Sequence, residues 1–236
     1  MNPLWTDIAA RADIALGEQQ HALLSRYLDL LLEANARMNL TRITDRAAAE
    51  LQHVADSFTL LPYLPKTPHA LADVGSGGGV PGIPLAIARP DARVTLIEAT
   101  KKKAVFLKET VAALQLSNVT IVDQRAEDVA RGDLREAFDI AIARAVATMD
   151  WLAEWCLPLV SKGGKMLAMK GPKVNEELPT AEPIIRLLGG MPPIVHPVDL
   201  PGTEHRVIVE ITKGRATSPR YPRPATVAKG KPLSPA

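Results

Sequence analysis

The residues whose types and spacing point most clearly to chemistry lie between positions 71 and 88, in the stretch LADVGSGGGVPGIPLAIA. A short apolar run ends in Asp73, and glycines follow at positions 75, 77, 78, 79 and 82. A strand that turns this tightly into a helix needs residues without a Cβ, because they reach positive φ and let a ligand approach bare backbone. The helix that follows offers unpaired N–H groups and a partial positive charge at its start. The stretch therefore predicts a loop that binds a nucleotide-type cofactor.

The spacing of the glycines is compatible with two classes of cofactor. Gly77, Gly79 and Gly82 form G-x-G-x-x-G, a weak dinucleotide fingerprint. Gly75, Gly77 and Gly79 form G-x-G-x-G directly after Asp73, which resembles the first motif of methyltransferases that use S-adenosylmethionine (SAM). An acid two residues before the first glycine would repel a pyrophosphate but attract the sulfonium and ammonium of SAM, directly or through water. SAM is therefore favoured, and a glycine-rich turn without a ligand is the remaining alternative.

A second acid ends the next predicted strand, RVTLIE (93–98). Glu98 lies 23 residues after Gly75, and a carboxylate at this distance in a βαβ unit suits ribose hydroxyls and disfavours a 2′-phosphate. Glu98 can also serve at the start of the next helix, and the two roles are compatible. Lys101, Lys102, Lys103 and Lys108 follow on that helix, where a solvated face is favoured over an RNA contact.

Alternating strand and helix patterns predict an α/β fold. The predicted strands are the run ending at Asp73 and the segments 93–98, 118–123, 138–143, 165–170, 192–200 and 205–212. The predicted helices between them cover 82–89, a segment from 101, 149–160 and 173–189. This order implies a doubly wound, mostly parallel seven-stranded sheet of the SAM-dependent methyltransferase (Rossmann-like) type, with an antiparallel last strand. Ligands of such sheets bind at the carboxyl ends of the strands, where Asp73, Glu98, Glu127 and Arg144 would lie.

The chain of 236 residues divides into three parts. Residues 1–69 carry apolar residues at helical spacing in 5–16, 18–38 and 47–64, which predicts an N-terminal helical cap packed on the core. Residues 70–212 form the predicted methyltransferase domain, and residues 213–236 form a basic, proline-rich tail. One α/β domain with an extension is ordinary for this length.

Composition indicates a cytoplasmic setting. The single cysteine, Cys156, permits no internal disulfide, and the N-terminus MNPLWTDIAA lacks the basic start and apolar run of a signal peptide. No apolar stretch is long enough to span a membrane. Five scattered histidines and one cysteine suggest no metal site.

The C-terminal tail concentrates positive charge. Residues 213–236 carry six lysines and arginines and no acid, whereas the other 212 residues carry 22 basic and 26 acidic side chains. Five prolines predict an extended tail that cannot be helical. Such a tail, with Arg220, Tyr221 and Arg223, suits a phosphate backbone and a stacked base, and a disordered solubilising segment is the alternative.

Several short motifs in order along the chain resemble one family. They are MNLTRIT (38–44), HVADSF (53–58), DVGSGGGVPGIPLAI (73–87), RAED (125–128), ARAVA (143–147), and RYPR with GKPL (220–233). From about residue 20 to the C-terminus, the chain resembles the bacterial small-subunit ribosomal RNA guanine-N7 methyltransferases, also called glucose-inhibited division protein B. The resemblance implies SAM as cofactor and 16S ribosomal RNA or a small-subunit precursor as partner, and we expect a monomer.

The resemblance also implies site residues. SAM contacts fall on Gly75, Val80, Ala126, Glu127 and Arg144, with Glu98 at the ribose. The pattern of the glycine loop itself adds Asp73, Gly77 and Gly79 to the predicted cofactor residues. One departure from the family pattern is Gly78, which makes a third consecutive glycine where many relatives have a side chain. Lys170 and Arg206, at the ends of strands, are predicted RNA contacts. The roles of Asn39, His53, Asp56 and Ser57 stay open.

The residues after the fourth predicted strand agree with transfer to a ring nitrogen. Ala143, Arg144 and Ala145 stand where methyltransferases acting on exocyclic amines carry an N/D-P-P-Y/F/W motif. Methylation of pyrimidine C5 needs a thiolate, but Cys156 lies mid-helix in a core position. Guanine N7 needs neither, since its lone pair is free at neutral pH, so no general base is expected. Arg144 is a candidate to position guanine through O6, and a structural salt bridge is the alternative.

Two other functions are compatible with parts of the sequence. An NAD-dependent oxidoreductase would use the dinucleotide pattern. It would also need a proton relay formed by a tyrosine and a lysine, or by a histidine, and no such pair follows the fourth predicted strand. A nonenzymatic RNA-binding protein that keeps the fold is the second alternative.

Overall fold

The computed structural model describes residues 1–203 and 205–233. Its N-terminal part is helical and consists of α1 (Pro3–Ala10), α2 (Glu18–Met38), α3 (Arg46–Ala49), a π-helical stretch (Glu50–Ala55), α4 (Asp56–Phe58) and a 3-10 turn (Leu61–Tyr63). α1 is shorter than predicted, because the chain leaves the helix before Asp13, which has a left-handed φ of 60°. The third predicted helix (47–64) is divided between α-helical, π-helical and 3-10 geometry.

α2 packs one face against the sheet domain. Leu24, Leu28 and Leu31 recur at helical spacing and are fully buried with Tyr27. The helix ends at Asn39, whose left-handed φ of 52° stops the helical hydrogen bonding. These side chains belong to one hydrophobic cluster with residues of the sheet and its first crossover helix. The N-terminal helices therefore pack directly on the core.

The sheet has seven strands in the order β3-β2-β1-β4-β5-β7-β6. The strands are β1 (Ala70–Val74), β2 (Arg93–Ile97), β3 (Val119–Val122), β4 (Phe138–Arg144), β5 (Val160–Lys170), β6 (Ile194–Pro197) and β7 (Val207–Thr212). β1 to β5 are parallel, and β7 runs antiparallel between β5 and β6. The predicted doubly wound, mostly parallel seven-stranded α/β fold is confirmed.

Crossover helices follow the parallel strands. They are α5 (Gly82–Ala88), α6 (Lys101–Ala113), α7 (Ala126–Val129), α8 (Met149–Cys156) and α9 (Val174–Leu187). The strand order reverses between β1 and β4, so the switch point lies where the chain leaves these two strands. Cys156 is fully buried in the core beside α9, as predicted. No helix within 1–203 and 205–233 has the length and apolar character of a membrane span.

The C-terminal segment packs on the sheet domain, which corrects the expectation of an extended tail that cannot be helical. The Arg135 guanidinium donates to the carbonyls of Thr217 at 2.8 Å and Tyr221 at 2.8 Å. A short helix, α10 (Ala225–Ala228), begins after Pro224. Prolines that precede a helix do not interrupt it, because the first helical turn needs no N–H donor. The proline-rich segment therefore folds against its neighbours.

Candidate functional site

A cavity of about 1620 Å³ opens at the carboxyl ends of β1 to β4. The sheet contributes residues 74–78, 80, 97–99, 124–127 and 144–146 to its walls. The N-terminal part contributes residues 31–32, 35–36, 39–44 and 52–53. Seven of the nine predicted cofactor residues line this one cavity: Gly75, Gly77, Val80, Glu98, Ala126, Glu127 and Arg144.

The glycine loop meets the cavity through Gly75 and Gly77. Both have positive φ, 76° and 56°, and a Cβ on Gly77 would meet only the Gly75 carbonyl oxygen, at 3.8 Å. Gly79 also has positive φ, but its Cβ would lie 2.5 Å from Ile83 Cδ1 in the core. Gly79 therefore lies outside the cavity lining, where packing behind the loop requires a glycine, and its contact with the cofactor stays a prediction.

Gly78, the middle one of three consecutive glycines, packs against α2. A Cβ here would lie 2.8 Å from Leu31 Cδ1, and the Gly78 carbonyl accepts a hydrogen bond from the Tyr27 hydroxyl at 2.8 Å. The loop is thus pressed against α2, and the close packing leaves no room for a side chain. The contacts with α2 therefore restrain the loop at this position.

Glu98 joins the glycine loop to the end of β2. One carboxylate oxygen accepts a hydrogen bond from Gly77 N at 2.9 Å, and the other accepts from Thr100 N at 2.7 Å before α6. The side chain also lines the cavity. The Glu98 carboxylate therefore lies at a helix start, as predicted, and faces the cavity, and its contact with ribose hydroxyls stays a prediction.

Asp73 lies behind the loop rather than in the cavity wall. Its Oδ2 accepts a hydrogen bond from Gly82 N at 3.0 Å, at the start of α5, and the residue is 1% exposed. Burial raises the pKa of the Asp73 carboxyl to about 7. This acid holds the loop and the helix start from within the protein, and its attraction for SAM, directly or through water, stays a prediction.

Arg144 ends β4 at the junction between the sheet and the N-terminal helices. Its Nη1 lies 3.1 Å from Asp56 Oδ2, and the same oxygen accepts a hydrogen bond from Arg206 Nη1 at 3.1 Å. Asp56 is fully buried, and burial raises its pKa against the opposing effect of the two arginines. The structural salt bridge predicted as an alternative for Arg144 is present, and Arg144 lines the cavity as well.

The predicted RNA contacts lie outside the cavity lining and differ in their surroundings. Lys170 Nζ donates to the Ala147 carbonyl at 2.9 Å and pairs with Glu177 at 2.7 Å, and Arg206 is bound to Asp56. Arg223 pairs with the buried Glu154 at 2.7 Å. In the tail, Tyr221 is half-buried and packs against the core, whereas Arg220 is exposed. Ion pairs therefore tie Lys170, Arg206 and Arg223 to the fold. Among the four basic residues, Arg220 has the most accessible charge.

Thr41 and Trp155 are among the cavity residues that the sequence reasoning missed. Thr41 lines the cavity and its Oγ1 lies 3.2 Å from His53 Nε2. Trp155 also lines the cavity and stacks on Trp151, with ring centroids 5.2 Å apart. The signal for Thr41 was its place inside MNLTRIT (38–44), whereas nothing local distinguishes Trp155 from a core position.

Across 1–203 and 205–233, no three histidine, cysteine, aspartate or glutamate side chains are grouped as metal ligands.

Sequence comparison points to one family. The chain matches the GidB family, rRNA small subunit methyltransferase G, over residues 20–199. It is 41% identical to the ribosomal RNA small subunit methyltransferase G of Lactobacillus johnsonii, over 99% of this chain and 100% of the relative. The protein of the same name from Chloroflexus aggregans is 42% identical over 93% of each chain.

Solved structures share the fold. A variant of the 16S rRNA (adenine(1408)-N(1))-methyltransferase from Catenulisporales acidiphilia superposes with a TM-score of 0.52 at 15% identity, over 64% of this chain and 88% of that one. A SAM-dependent O-methyltransferase from Thermotoga maritima gives a TM-score of 0.50 at 16% identity, over 80% of this chain and 73% of that one. At this level of identity, the two structures establish the fold alone.

Proposed function

Because the chain belongs to the rRNA small subunit methyltransferase G family, we propose that it transfers a methyl group from SAM to N7 of a guanine in 16S ribosomal RNA. The observation that carries the proposal is the cavity at the switch point, where the open backbone of Gly77 and the Glu98 carboxylate meet. We further propose that the protein acts in the cytoplasm as a monomer.

The cavity residues fit SAM by shape and by charge. Gly77 leaves the space that a Cβ would fill, so the methionine part can lie against the loop. Glu98 supplies a carboxylate suited to two ribose hydroxyls, and Val80, Ile97, Ala99 and Ala126 offer apolar surface for an adenine. We assign Gly75, Val80, Glu98, Ala126, Glu127 and Arg144 to this cofactor.

The start of α5 argues against a dinucleotide. A pyrophosphate would use the N–H groups that a helix start presents, but Gly82 N already donates to the Asp73 carboxylate. An anion at that position would also stand close to the buried acid. The arrangement favours a cofactor without phosphate groups.

The reaction needs positioning more than proton transfer. When bound, SAM would supply an electrophilic methyl group for the N7 lone pair, and its sulfur would keep the electron pair of the carbon–sulfur bond. Guanine N7 carries no proton at neutral pH, so the protein has none to remove. The side chains that hold the two reactants in line and exclude water supply the catalysis.

Two side chains near the site agree with this mechanism. Burial and the nearby charge of Arg144 lower the pKa of His53 to about 4, so its imidazole is neutral at physiological pH. Burial raises the pKa of the Cys156 thiol far above its ordinary value, so no thiolate nucleophile is available. A direct transfer without a covalent enzyme intermediate is the route that these residues support.

The rim of the cavity can hold the phosphate backbone of an RNA. Arg42, Lys103 and Arg125 line the cavity, and Arg42 and Arg125 are exposed. Arg220, Lys229 and Lys231 add exposed positive charge on the C-terminal segment. Contacts of this kind supply affinity without selecting the base, so selection falls to the cavity itself.

Calorimetry and methyl transfer test the proposal together. S-adenosylhomocysteine should bind the purified protein, and NAD should not. Tritiated methyl from SAM should enter 16S RNA isolated from cells that lack this modification. Binding of NAD in place of S-adenosylhomocysteine would support an oxidoreductase, and binding without any transfer to RNA or small subunits would support a nonenzymatic RNA-binding protein.

A further inference from the structure

Residues 145–148 connect β4 to α8, and we call them the β4–α8 loop. The first two residues of this loop, Ala145 and Val146, line the cavity directly after Arg144. The conformation of the loop therefore decides which groups this part of the wall presents to a bound molecule.

Ala145 has a backbone conformation that side-chain-bearing residues rarely adopt. Its φ is 54°, in the left-handed region where the Cβ comes too close to the following carbonyl oxygen. Six other non-glycine residues within 1–203 and 205–233 have positive φ, and all six carry polar side chains. Alanine has no side-chain polar group that could offset the strain by a local hydrogen bond. Strain of this kind persists only where surrounding contacts impose it, and it is common at functional sites.

An ion pair behind the loop supplies contacts of this kind. Lys170 Nζ, at the end of β5, donates to the Ala147 carbonyl at 2.9 Å and lies 2.7 Å from Glu177 Oε2 on α9. The same glutamate oxygen accepts a hydrogen bond from Met149 N at 2.8 Å, at the start of α8. The two charged side chains are largely buried, with 12% and 18% of their surface exposed, and neither lines the cavity. The pair therefore holds the loop from behind without reaching a ligand.

The loop places Val146 against the glycine loop. A Cβ on Gly75 would lie 2.9 Å from Val146 Cγ2, so the valine packs directly on the Gly75 backbone. The side chain also lines the cavity, and the residue is 37% exposed. Apolar surface that the protein leaves uncovered inside a binding cavity suits contact with a bound molecule.

We propose that Glu177 and Lys170 are positioning residues for methyl transfer, which hold the β4–α8 loop so that Val146 faces the bound reactants. This inference rests on the proposed function. A transfer that needs no general base depends on alignment, and a displacement of about 1 Å can cost about a hundredfold in rate. Two side chains that never touch the reactants can therefore control the rate through the loop.

Glu177→Ala removes the carboxylate that holds the loop. It should lower kcat by about tenfold or more, and it should leave the KM for 16S RNA and the dissociation constant of S-adenosylhomocysteine within about threefold of the original values. Glu177→Gln should lower kcat less, because the amide oxygen can still accept from Met149 N. Glu182→Ala is the matched control, since Glu182 lies on the same helix and forms an exposed pair with Arg186; it should change none of these values.

Two results would contradict this prediction. An unchanged kcat in the Glu177→Ala protein would overturn the positioning role. A raised KM for RNA with an unchanged kcat would overturn it as well, and would assign the ion pair to RNA binding.

Hydrogen exchange tests the restraint on the loop without an assay of transfer. The Met149 amide loses its acceptor in the Glu177→Ala protein, so the segment 145–149 should exchange faster there than in the unaltered protein. Glu182→Ala should leave the exchange of this segment unchanged. Equal exchange in the Glu177→Ala and unaltered proteins would overturn the restraint.

A double substitution tests the route through Val146. Val146→Ala should lower kcat by itself, and adding Glu177→Ala should lower it by a smaller factor than Glu177→Ala does alone, because both changes act on one side chain. Fold-changes that simply multiply would overturn Val146 as the side chain that the ion pair positions.

The outcomes distinguish the two proposals. An active unaltered protein whose kcat survives Glu177→Ala would overturn the positioning role and keep the proposed function. An unaltered protein that transfers no methyl to RNA would overturn the proposed function and, with it, the role of the ion pair in transfer. Hydrogen exchange would still decide whether the pair holds the loop.

Discussion

At the scale of single residues, Gly77 and Glu98 connect the sheet to the cavity. The peptide N–H of Gly77 is held by the Glu98 carboxylate, and its Cα faces open space. A side chain at this position would enter the cavity without meeting the protein, whereas the neighbouring glycines are closed in by side chains of the protein itself. Substitutions at these two residues therefore test the proposed cofactor site.

Gly77→Val should abolish binding of S-adenosylhomocysteine, because the new side chain occupies the space against the loop. Gly163→Val is a matched control, since Gly163 has a φ of +87° and nothing within 4 Å of the position that a Cβ would take, yet lies outside the cavity. The backbone strain of the two variants should be similar, about 1–2 kcal/mol. Calorimetry on both proteins, each checked by circular dichroism, measures the difference. Full binding by a folded Gly77→Val protein would contradict the loop assignment.

Glu98→Ala should weaken the binding of S-adenosylhomocysteine by about 2–3 kcal/mol, on the scale of hydrogen bonds to a charged acceptor. Glu98→Gln should weaken it less, because the amide keeps one oxygen acceptor. The dissociation constants of the three proteins check the order. If both substitutions leave the affinity unchanged, the carboxylate only holds the backbone N–H groups of Gly77 and Thr100.

Asp73→Asn should change how stability depends on pH. Burial raises the folded pKa of Asp73 to about 7, above its unfolded value near 4, so the folded state binds its proton more tightly. The resulting stabilisation is complete below pH 4 and is lost as the pH rises towards 7. The asparagine variant should match the original protein at pH 4 and exceed it by roughly 2–4 kcal/mol at pH 8. Urea unfolding at the two values measures this, and an equal difference at both would contradict the buried-acid account.

At the scale of elements, local patterns predicted the alternation of strands and helices, because each βαβ unit is short and closes on a neighbouring strand. They placed Glu98 and Arg144 at strand ends correctly for the same reason. The Asp56–Arg144 and Thr41–His53 contacts could not be predicted, since no periodicity encodes which side chains of separate elements meet. The position of Asp73 and Gly79 behind the cavity wall could not be predicted, because the loop turns some of its groups towards the core, which spacing alone does not reveal.

The C-terminal segment offers a prediction at this scale. Arg223→Ala should reduce the free energy of unfolding by about 3–5 kcal/mol, because it leaves the Glu154 carboxylate buried without its partner. Arg220→Ala, at an exposed neighbour, should leave stability unchanged and weaken RNA binding, with a log–log salt slope shallower by about 0.7–0.9. Urea unfolding and filter binding at several salt concentrations separate the two effects. Equal stability losses would contradict the distinction between a fold-holding arginine and an accessible one.

At the scale of the whole molecule, one buried acid joins three segments of the chain beside the cavity. Asp56 in the N-terminal helices pairs with Arg144 at the end of β4 and with Arg206 at the approach to β7. The N-terminal helices thus complete the cavity that the sheet begins, and the sequence division at residue 69 separates segments that act on one site. Methyl transfer between two bound molecules requires one wall that holds the cofactor and a second wall that faces it.

The central claim is transfer to guanine N7, and the position of the methyl group tests it most directly. 16S RNA from cells lacking the modification is incubated with the protein and with SAM that carries a labelled methyl group. The RNA is then treated with borohydride and aniline, which cleave the chain at N7-methylguanosine. The account predicts incorporation of the label and cleavage at one guanine, with neither after incubation with the Gly77→Val protein. Incorporation of the label into RNA that resists cleavage would contradict it.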